Sequence, residues 1–178
     1  MELFEKTVEK NYVYEGRIIN VRCDKAELHN GNPCTREVVE HNGGVSVAAL
    51  TENDELIFVR QFRYPYMEVV LELPAGKLEK GEDPFEAGKR ELEEETGYKA
   101  EKLISYGQMY PTCGYSNEII YLYVAEDICK TNRHLDEDEF IDVEFVELEK
   151  VVEMINKGVI KDAKTICLIS KYLLAKQI

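Results

Sequence analysis

GKLEKGEDPFEAGKRELEEETGY, residues 76–98, is the stretch on which the reading of this chain turns. It carries eight carboxylates in twenty-three residues, five of them between Glu86 and Glu95. Its punctuation predicts a helix from Pro84 to Thr96. Asp83 caps, Pro84 suits the first helical position, Glu86 completes an Asp-x-x-Glu box and Gly97 offers a left-handed stop. At about 100° per residue, Phe85, Gly88, Leu92 and Thr96 share the face expected to be buried. Glu91 and Glu95 stack four apart at the edge of that face, Glu94 points further round, and Arg90 stands in i,i+4 register with Glu94. Like charges at such spacing repel. One reading is a solvated acidic helix face. The other is a seat for a hard divalent cation such as Mg2+, which takes few carboxylates together with water and substrate phosphate and cancels the repulsion. In the second reading the Arg90 fork holds a carboxylate in place.

Working outward, the flanks read as strands. YEGRIINVRCDKAEL alternates as a strand pair, HNGNP (29–33) is a turn, and TREVVEH is a further strand. VSVAALT (45–51) and LIFVRQFR (56–63) are expected to form a hairpin across TENDE. VVLELPAG leads as a strand into the acidic stretch. KLISYGQMY and EIIYLYVAEDI follow as strands joined by PTCGYSN, and after TNRHLDEDE comes the strand FIDVEFVEL. Glu147 to Leu173 reads as one or two helices. Strands, helix, strands, helix indicate a mixed-sheet sandwich rather than a regular βαβ array.

The 178 residues suffice for one cored domain with a small N-terminal extension. A net charge of −13 argues against nonspecific nucleic-acid binding, though a cation can reverse the local field for a phosphorylated small molecule. No apolar run is long enough for a bilayer, and MELFEKTVEKNYVYEG has no signal-peptide core, so neither membrane nor nucleic acid is expected as a partner and the expected location is cytoplasmic. The five cysteines, Cys23, Cys34, Cys113, Cys129 and Cys167, show no CxxC pair, which suggests neither a disulfide framework nor a zinc site. His41 and His134 lack partners at metal-binding spacing and are read as solvated or structural.

Gly76, Glu82, Arg90, Glu91, Leu92, Glu94, Glu95 and Gly97 fit the pattern GX5EX7REUXEEXGU, with U bulky and apolar. Tyr98 fills the last U, where an aliphatic residue is more usual. The stretch resembles the box of the Nudix hydrolase family, and eight fixed positions at fixed spacing outweigh the solvated-face reading. REVVEH (36–41), RQFRYP (60–65), LELPAGKLEKGE (71–82) and LDEDEF (135–140) are similar to the ADP-ribose pyrophosphatase branch. The resemblance implies an α+β fold of the Nudix α/β/α type with a mixed β-sheet. It also implies an N-terminal antiparallel extension over 1–43, serving dimerisation and the adenine end, ahead of a hydrolase domain over 44–178.

Carried over residue by residue, it implies Mg2+ as cofactor, with Mn2+ able to substitute. The ligands would be Glu91, Glu95, Glu94 and the backbone carbonyl of Ala75. Arg90 would orient the carboxylates and Glu82 would support them. Glu139 would act as base or complete the metal site, with Asp136, Glu137 and Asp138 as rivals and a box glutamate, Glu94 among the catalytic set, as the other candidate to take the proton. Arg63, Arg36, Glu72, Gly114 and Glu118 would contact substrate, with Arg63 reaching its phosphate; Tyr12, Tyr14 and Tyr115 are weaker candidates for adenine stacking. The implied reaction is hydrolysis of ADP-ribose to AMP and ribose 5-phosphate by a homodimer. In YPTCGYSNE, Cys113 stands where that branch commonly has proline, so a GDP- or UDP-sugar, or another ADP-linked compound or related nucleotide, is an alternative substrate. A non-catalytic nucleotide sensor is a further alternative, but such proteins typically lose box carboxylates and this chain keeps all of them.

Overall fold

The computed structural model describes residues 3–135 and 139–176. Its contacts define two compact units: the described residues up to Gly43 together with Tyr110–Ile119, and those of Gly44–Met109 with Ile120–Ile178.

The first unit is an antiparallel sheet of β1 (Glu5–Glu9), β2 (Tyr12–Glu15), β3 (Asn20–Leu28) and β4 (Pro33–Glu40). β3 is its spine: β4 pairs along one edge, and β1 and β2 take successive stretches of the other. The turn expected at 29–33 forms, with Gly31 at φ 83° and the Leu28 N–H donating to the Asn32 carbonyl at 2.9 Å. The loop after residue 109 joins this unit: the Val39 N–H donates to the Tyr115 carbonyl at 2.8 Å, and the His41 N–H donates to Asn117 Oδ1 at 2.9 Å. Phe4, Val8, Val13, Tyr14 and Ile18 are exposed on this unit.

The second unit contains β5 (Gly44–Ala49), β6 (Glu55–Arg63), β7 (Glu68–Glu72), β8 (Ala75–Lys77), α1 (Pro84–Thr96), β9 (Tyr98–Ala100), β10 (Leu103–Met109), β11 (Ile120–Ala125), β12 (Ile128–Lys130), β13 (Ile141–Glu147), α2 (Leu148–Asn156) and α3 (Ala163–Lys176). One sheet runs β10-β11-β5-β8, with β11 and β5 parallel; a second runs β13-β6-β7; β12 and β9 form a short pair. Side-chain alternation sends Val45, Val47, Ile57, Tyr123 and Ala125 to a core with Ala87 and Leu92 of α1. The alternate residues Ala48, Leu56, Phe58, Leu122 and Val124 pack with Val151 of α2 and Leu168, Ile169 and Tyr172 of α3. Helices thus cover both faces, the α/β/α layering expected from the sequence. No described helix is long and apolar enough to cross a membrane.

The turn expected at TENDE closes, with the Thr51 N–H donating to the Glu55 carbonyl at 2.9 Å, but β5 and β6 do not go on to pair as a hairpin. Leu50 and Leu56 make an isolated bridge, after which β5 and β6 enter different sheets. The reason is burial. All six residues of β5 are buried, so β5 takes a central place with β11 on one edge and β8 on the other. Alternation shows which way side chains face and is silent on which edges pair.

α1 spans the predicted residues. Asp83 Oδ1 accepts from the N–H groups of Phe85 and Glu86 at 2.9 and 3.3 Å, Pro84 opens the first turn, and Gly97 stops the helix at φ 72°. Gly88 lets the helix lie close on the sheet: a Cβ there would stand 2.9 Å from Leu103 Cδ1.

Candidate active site

β8 and α1 together build an acidic centre in the second unit. The turn of α1 that buries Leu92 also carries Glu91 and Glu95 inward, to 9% and 3% exposure. Glu95 Oε2 accepts from the Ala75 N–H at 2.9 Å, which fastens the helix to the start of β8. Arg90 organises the rest. Its Nε and Nη2 reach Glu82 Oε1 and Oε2 at 2.9 and 3.1 Å, and its Nη1 reaches Glu91 Oε1 and Glu94 Oε2, both at 2.8 Å. One guanidinium therefore holds three of the box carboxylates in fixed directions.

Among the described residues no guanidinium is hydrogen-bonded to Glu95. Burial pushes its carboxyl up to about 8, and the neighbouring charges of Glu91, Glu139 and Glu72 act in the same sense, against the Ala75 hydrogen bond. Burial likewise raises Glu91 to about 7, outweighing Arg90, with Glu94 and Glu139 adding to the rise. Glu139 therefore lies within electrostatic reach of both buried carboxylates. Its rivals Asp136, Glu137 and Asp138 lie outside the described residues.

The glycine that opens the box explains how Glu91 gets in. A Cβ at Gly76 would sit 1.8 Å from Glu91 Cδ and 2.0 Å from its Oε1. The carboxylate occupies the space a side chain would fill. Gly76→Ala should therefore displace the Glu91 carboxylate, the mobile end of a flexible chain, and leave the fold intact. The expected result is a loss of turnover on the order of a hundredfold with native circular dichroism; full activity would show that Glu91 does not act from this place.

At the edge of the centre, Arg63 forks onto Glu72, with Nε to Oε1 at 2.7 Å and Nη2 to Oε2 at 2.8 Å. Glu72 is 1% exposed. Lys164 Nζ donates to the same Oε2 and also to Asp162 Oδ1, at 3.0 Å. Neither Lys164 nor Asp162 stood out in the sequence. Asp162 is legible there as a cap before α3, and its Oδ2 does accept from Thr165 N and Oγ1 at 3.0 and 2.6 Å, but its hold on a lysine is a tertiary fact. Arg133 was equally hidden. The loop holding it follows the end of α1: the Thr131 N–H donates to the Gly97 carbonyl at 2.7 Å, the His134 N–H to the Glu94 carbonyl at 3.2 Å, and Arg133 Nη2 to the Ile141 carbonyl, two residues beyond Glu139.

The second unit thus brings together Arg63, Glu72, Ala75, Arg90, Glu91, Glu94, Glu95 and Glu139. The other expected substrate contacts, Arg36, Gly114 and Glu118, belong to the first unit. There Arg36 forks onto Glu5 at 2.8 and 2.6 Å, and Glu118 Oε1 lies 3.4 Å from His41 Nδ1. The first unit also has a cavity of about 380 Å³, lined by Arg17, Asn20, His41, Asn42 and Asn117 among others. The Oδ1 atoms of Asn20 and Asn117 and Nδ1 of His41 already accept backbone N–H groups. Their amide NH2 groups and Nε2 can donate to an acceptor-rich ligand.

Among the described residues, no group of three or more His, Cys, Asp or Glu side chains is arranged to hold a metal ion by itself. Two buried carboxylates beside a strand carbonyl still fit a hard cation that keeps water and takes substrate oxygens. Among the described residues no arginine or lysine is hydrogen-bonded to the buried Glu95 carboxyl, and burial resists its ionisation; a cation there would relieve this.

Comparisons with known proteins agree with the geometry. A NUDIX domain model matches residues 40–169, and a nucleoside diphosphate sugar hydrolase N-terminal domain model matches residues 5–39. An ADP-ribose pyrophosphatase of Bacillus subtilis is 42% identical over 165 residues, covering 92% of this chain and 89% of the relative. A methanol dehydrogenase activator of Bacillus methanolicus is 41% identical, covering 91% and 89%. A GDP-mannose pyrophosphatase of Yersinia enterocolitica is 33% identical, covering 75% of each. A crystal structure of an ADP compounds hydrolase superposes with a TM-score of 0.87 at 20% identity, over 99% of this chain and 97% of that one, and so shares the fold. With the box residues gathered around one buried acidic centre and both halves of the chain matched, the protein belongs to the Nudix hydrolase family, whose members generally work with divalent metal ions.

Proposed function

We propose that the protein hydrolyses the diphosphate of ADP-ribose, giving AMP and ribose 5-phosphate, with Mg2+ as its cation and Mn2+ as a substitute. The observation that carries this is the acidic centre: Glu91 and Glu95, buried and close to Glu139, with Arg63 at its edge. The names of the relatives at 42% and 33% identity supply the substrate class, a nucleoside diphosphate sugar.

Glu91, Glu95 and the Ala75 carbonyl would hold the cation. When bound, it would neutralise charge developing on the diphosphate oxygens and make water a better nucleophile. Arg90 keeps Glu91 and Glu94 aimed. Arg63 binds diphosphate oxygens through its fork. Glu139 takes the proton from the attacking water. Water adds to one phosphorus, the bridging oxygen leaves with the other phosphate, and no covalent enzyme intermediate is required. Donors lining the cavity of the first unit support a role for that unit at the nucleoside end.

The test is to compare kcat/KM for ADP-ribose, GDP-mannose and UDP-glucose by chromatography of products. AMP from ADP-ribose at a clear excess over the other two is expected. A preference for GDP-mannose would move the substrate while leaving the chemistry. ADP-ribose binding without AMP release would make the protein a sensor. The exposed apolar residues of the first unit support pairing with a second copy; a scattering mass equal to one 20.5 kDa chain would contradict that. Five cysteines, all free, suit a reducing cytoplasm.

A further inference from the structure

Glu72 is 1% exposed and has two cationic partners with different freedom. Arg63, 37% exposed at its side chain, holds Glu72 through a fork. Lys164, 12% exposed, holds the same carboxylate from α3. Lys164 is itself anchored. Asp162 Oδ1 accepts from its Nζ at 3.0 Å, Asp162 Oδ2 is tied to Thr165, and Thr165 Oγ1 accepts the N–H of Leu73, next to Glu72, at 2.9 Å. The lysine end of this network is buried and cross-braced, and the arginine end opens toward solvent.

A diphosphate would compete with Glu72 for the Arg63 fork, because phosphate and carboxylate take the same bidentate geometry. If Arg63 were the only partner, its departure would strand a buried carboxylate, which is strongly unfavourable. We propose that Lys164 is a positioning residue: it stays on Glu72 as a permanent counter-ion, so that Arg63 can leave Glu72 for the substrate diphosphate. This rests on the proposed role of Arg63 as a phosphate ligand. The arrangement makes Arg63 an exchangeable contact and Glu72 its resting place between turnovers.

The test is KM and kcat for ADP-ribose, with calorimetric Kd for ADP as a second diphosphate, both with Mg2+, in wild type and variants. Lys164→Met should raise KM and the ADP Kd about tenfold with little change in kcat, the signature of lost substrate binding. Lys164→Gln, which keeps a hydrogen bond and most of the packing, should shift both in the same direction and guards against a misfolded methionine variant. Lys164→Arg should stay near wild type. In a Glu72→Gln background no charge is stranded, so adding Lys164→Met should change neither constant. Unchanged constants in both neutral variants would overturn the proposal. An equal rise in the Glu72→Gln background would overturn it too, because Lys164 would then touch the phosphates itself. A wild type that binds ADP and does not cleave ADP-ribose would refute the substrate reading, and the ADP constants would still decide the role of Lys164.

Discussion

Glu95→Gln should lose turnover by about a thousandfold and, in the absence of metal, melt at a higher temperature than the wild type. The two effects share one cause. Ionisation would put on the buried Glu95 carboxyl a charge that its surroundings do not want: burial dominates, and Glu91, Glu139 and Glu72 add like charge. Glutamine removes that charge and keeps an oxygen to accept the Ala75 N–H now bound at 2.9 Å. The gain should be a few kcal/mol, since each unit of pKa shift is worth about 1.36 kcal/mol, or on the order of 5 °C in Tm. The cost is the cation, which needs the carboxylate. A variant that keeps wild-type turnover removes Glu95 from the site. One that loses turnover and also melts lower would make Glu95 a structural residue.

The second large effect is on the pH dependence of stability. Glu91 and Glu95 have folded-state values raised to about 7 and about 8, against 4.5 for an ordinary glutamate. A carboxylate raised in the folded state binds its proton more tightly there than when unfolded. Its contribution is fully present below pH 4.5 and is lost as pH rises through 7 and then 8. Metal-free protein should therefore lose Tm from about pH 4.5 up to about pH 8. Mg2+ binds the ionised carboxylates of the folded state and opposes that loss. The increment in Tm from millimolar Mg2+ should then grow with pH across the same window, as read by differential scanning calorimetry in EDTA and in Mg2+. A Tm indifferent to Mg2+ at pH 8.5 would mean that the buried carboxylates are not its site.

These effects trace back to features that the sequence shows unevenly. The helix from Pro84 to Thr96, its Asp83 cap and its Gly97 stop are local, and local chemistry places them correctly. The i,i+4 relation of Arg90 and Glu94 is also local, and the pair stands at 2.8 Å. The depth of Glu95 is not local. The helical wheel puts it at the edge of the buried face, but only its contact with Ala75, twenty residues earlier, shows that it is fastened to the start of β8. The role of Gly76 is hidden for the same reason, since the side chain it makes room for comes from the next element. The pairing that stops at the TENDE turn shows the limit for strands. Leu56, Phe58 and Val59 are buried as their hydrophobicity suggests, but their sheet partners come from β7 and β13, the latter more than eighty residues away in register. The pairing of Lys164 with Glu72 spans ninety-two residues, and no pattern in either segment announces it.

The most direct test of the central claim is AMP release from ADP-ribose by the purified protein, first stripped with EDTA and then titrated with Mg2+. The acidic centre requires that stripped enzyme release essentially no AMP and that Mg2+ restore release along a saturating curve, with Glu95→Gln flat throughout. AMP release that proceeds equally in EDTA would contradict the account, because Glu91 and Glu95 would then be buried together for some reason other than holding a cation.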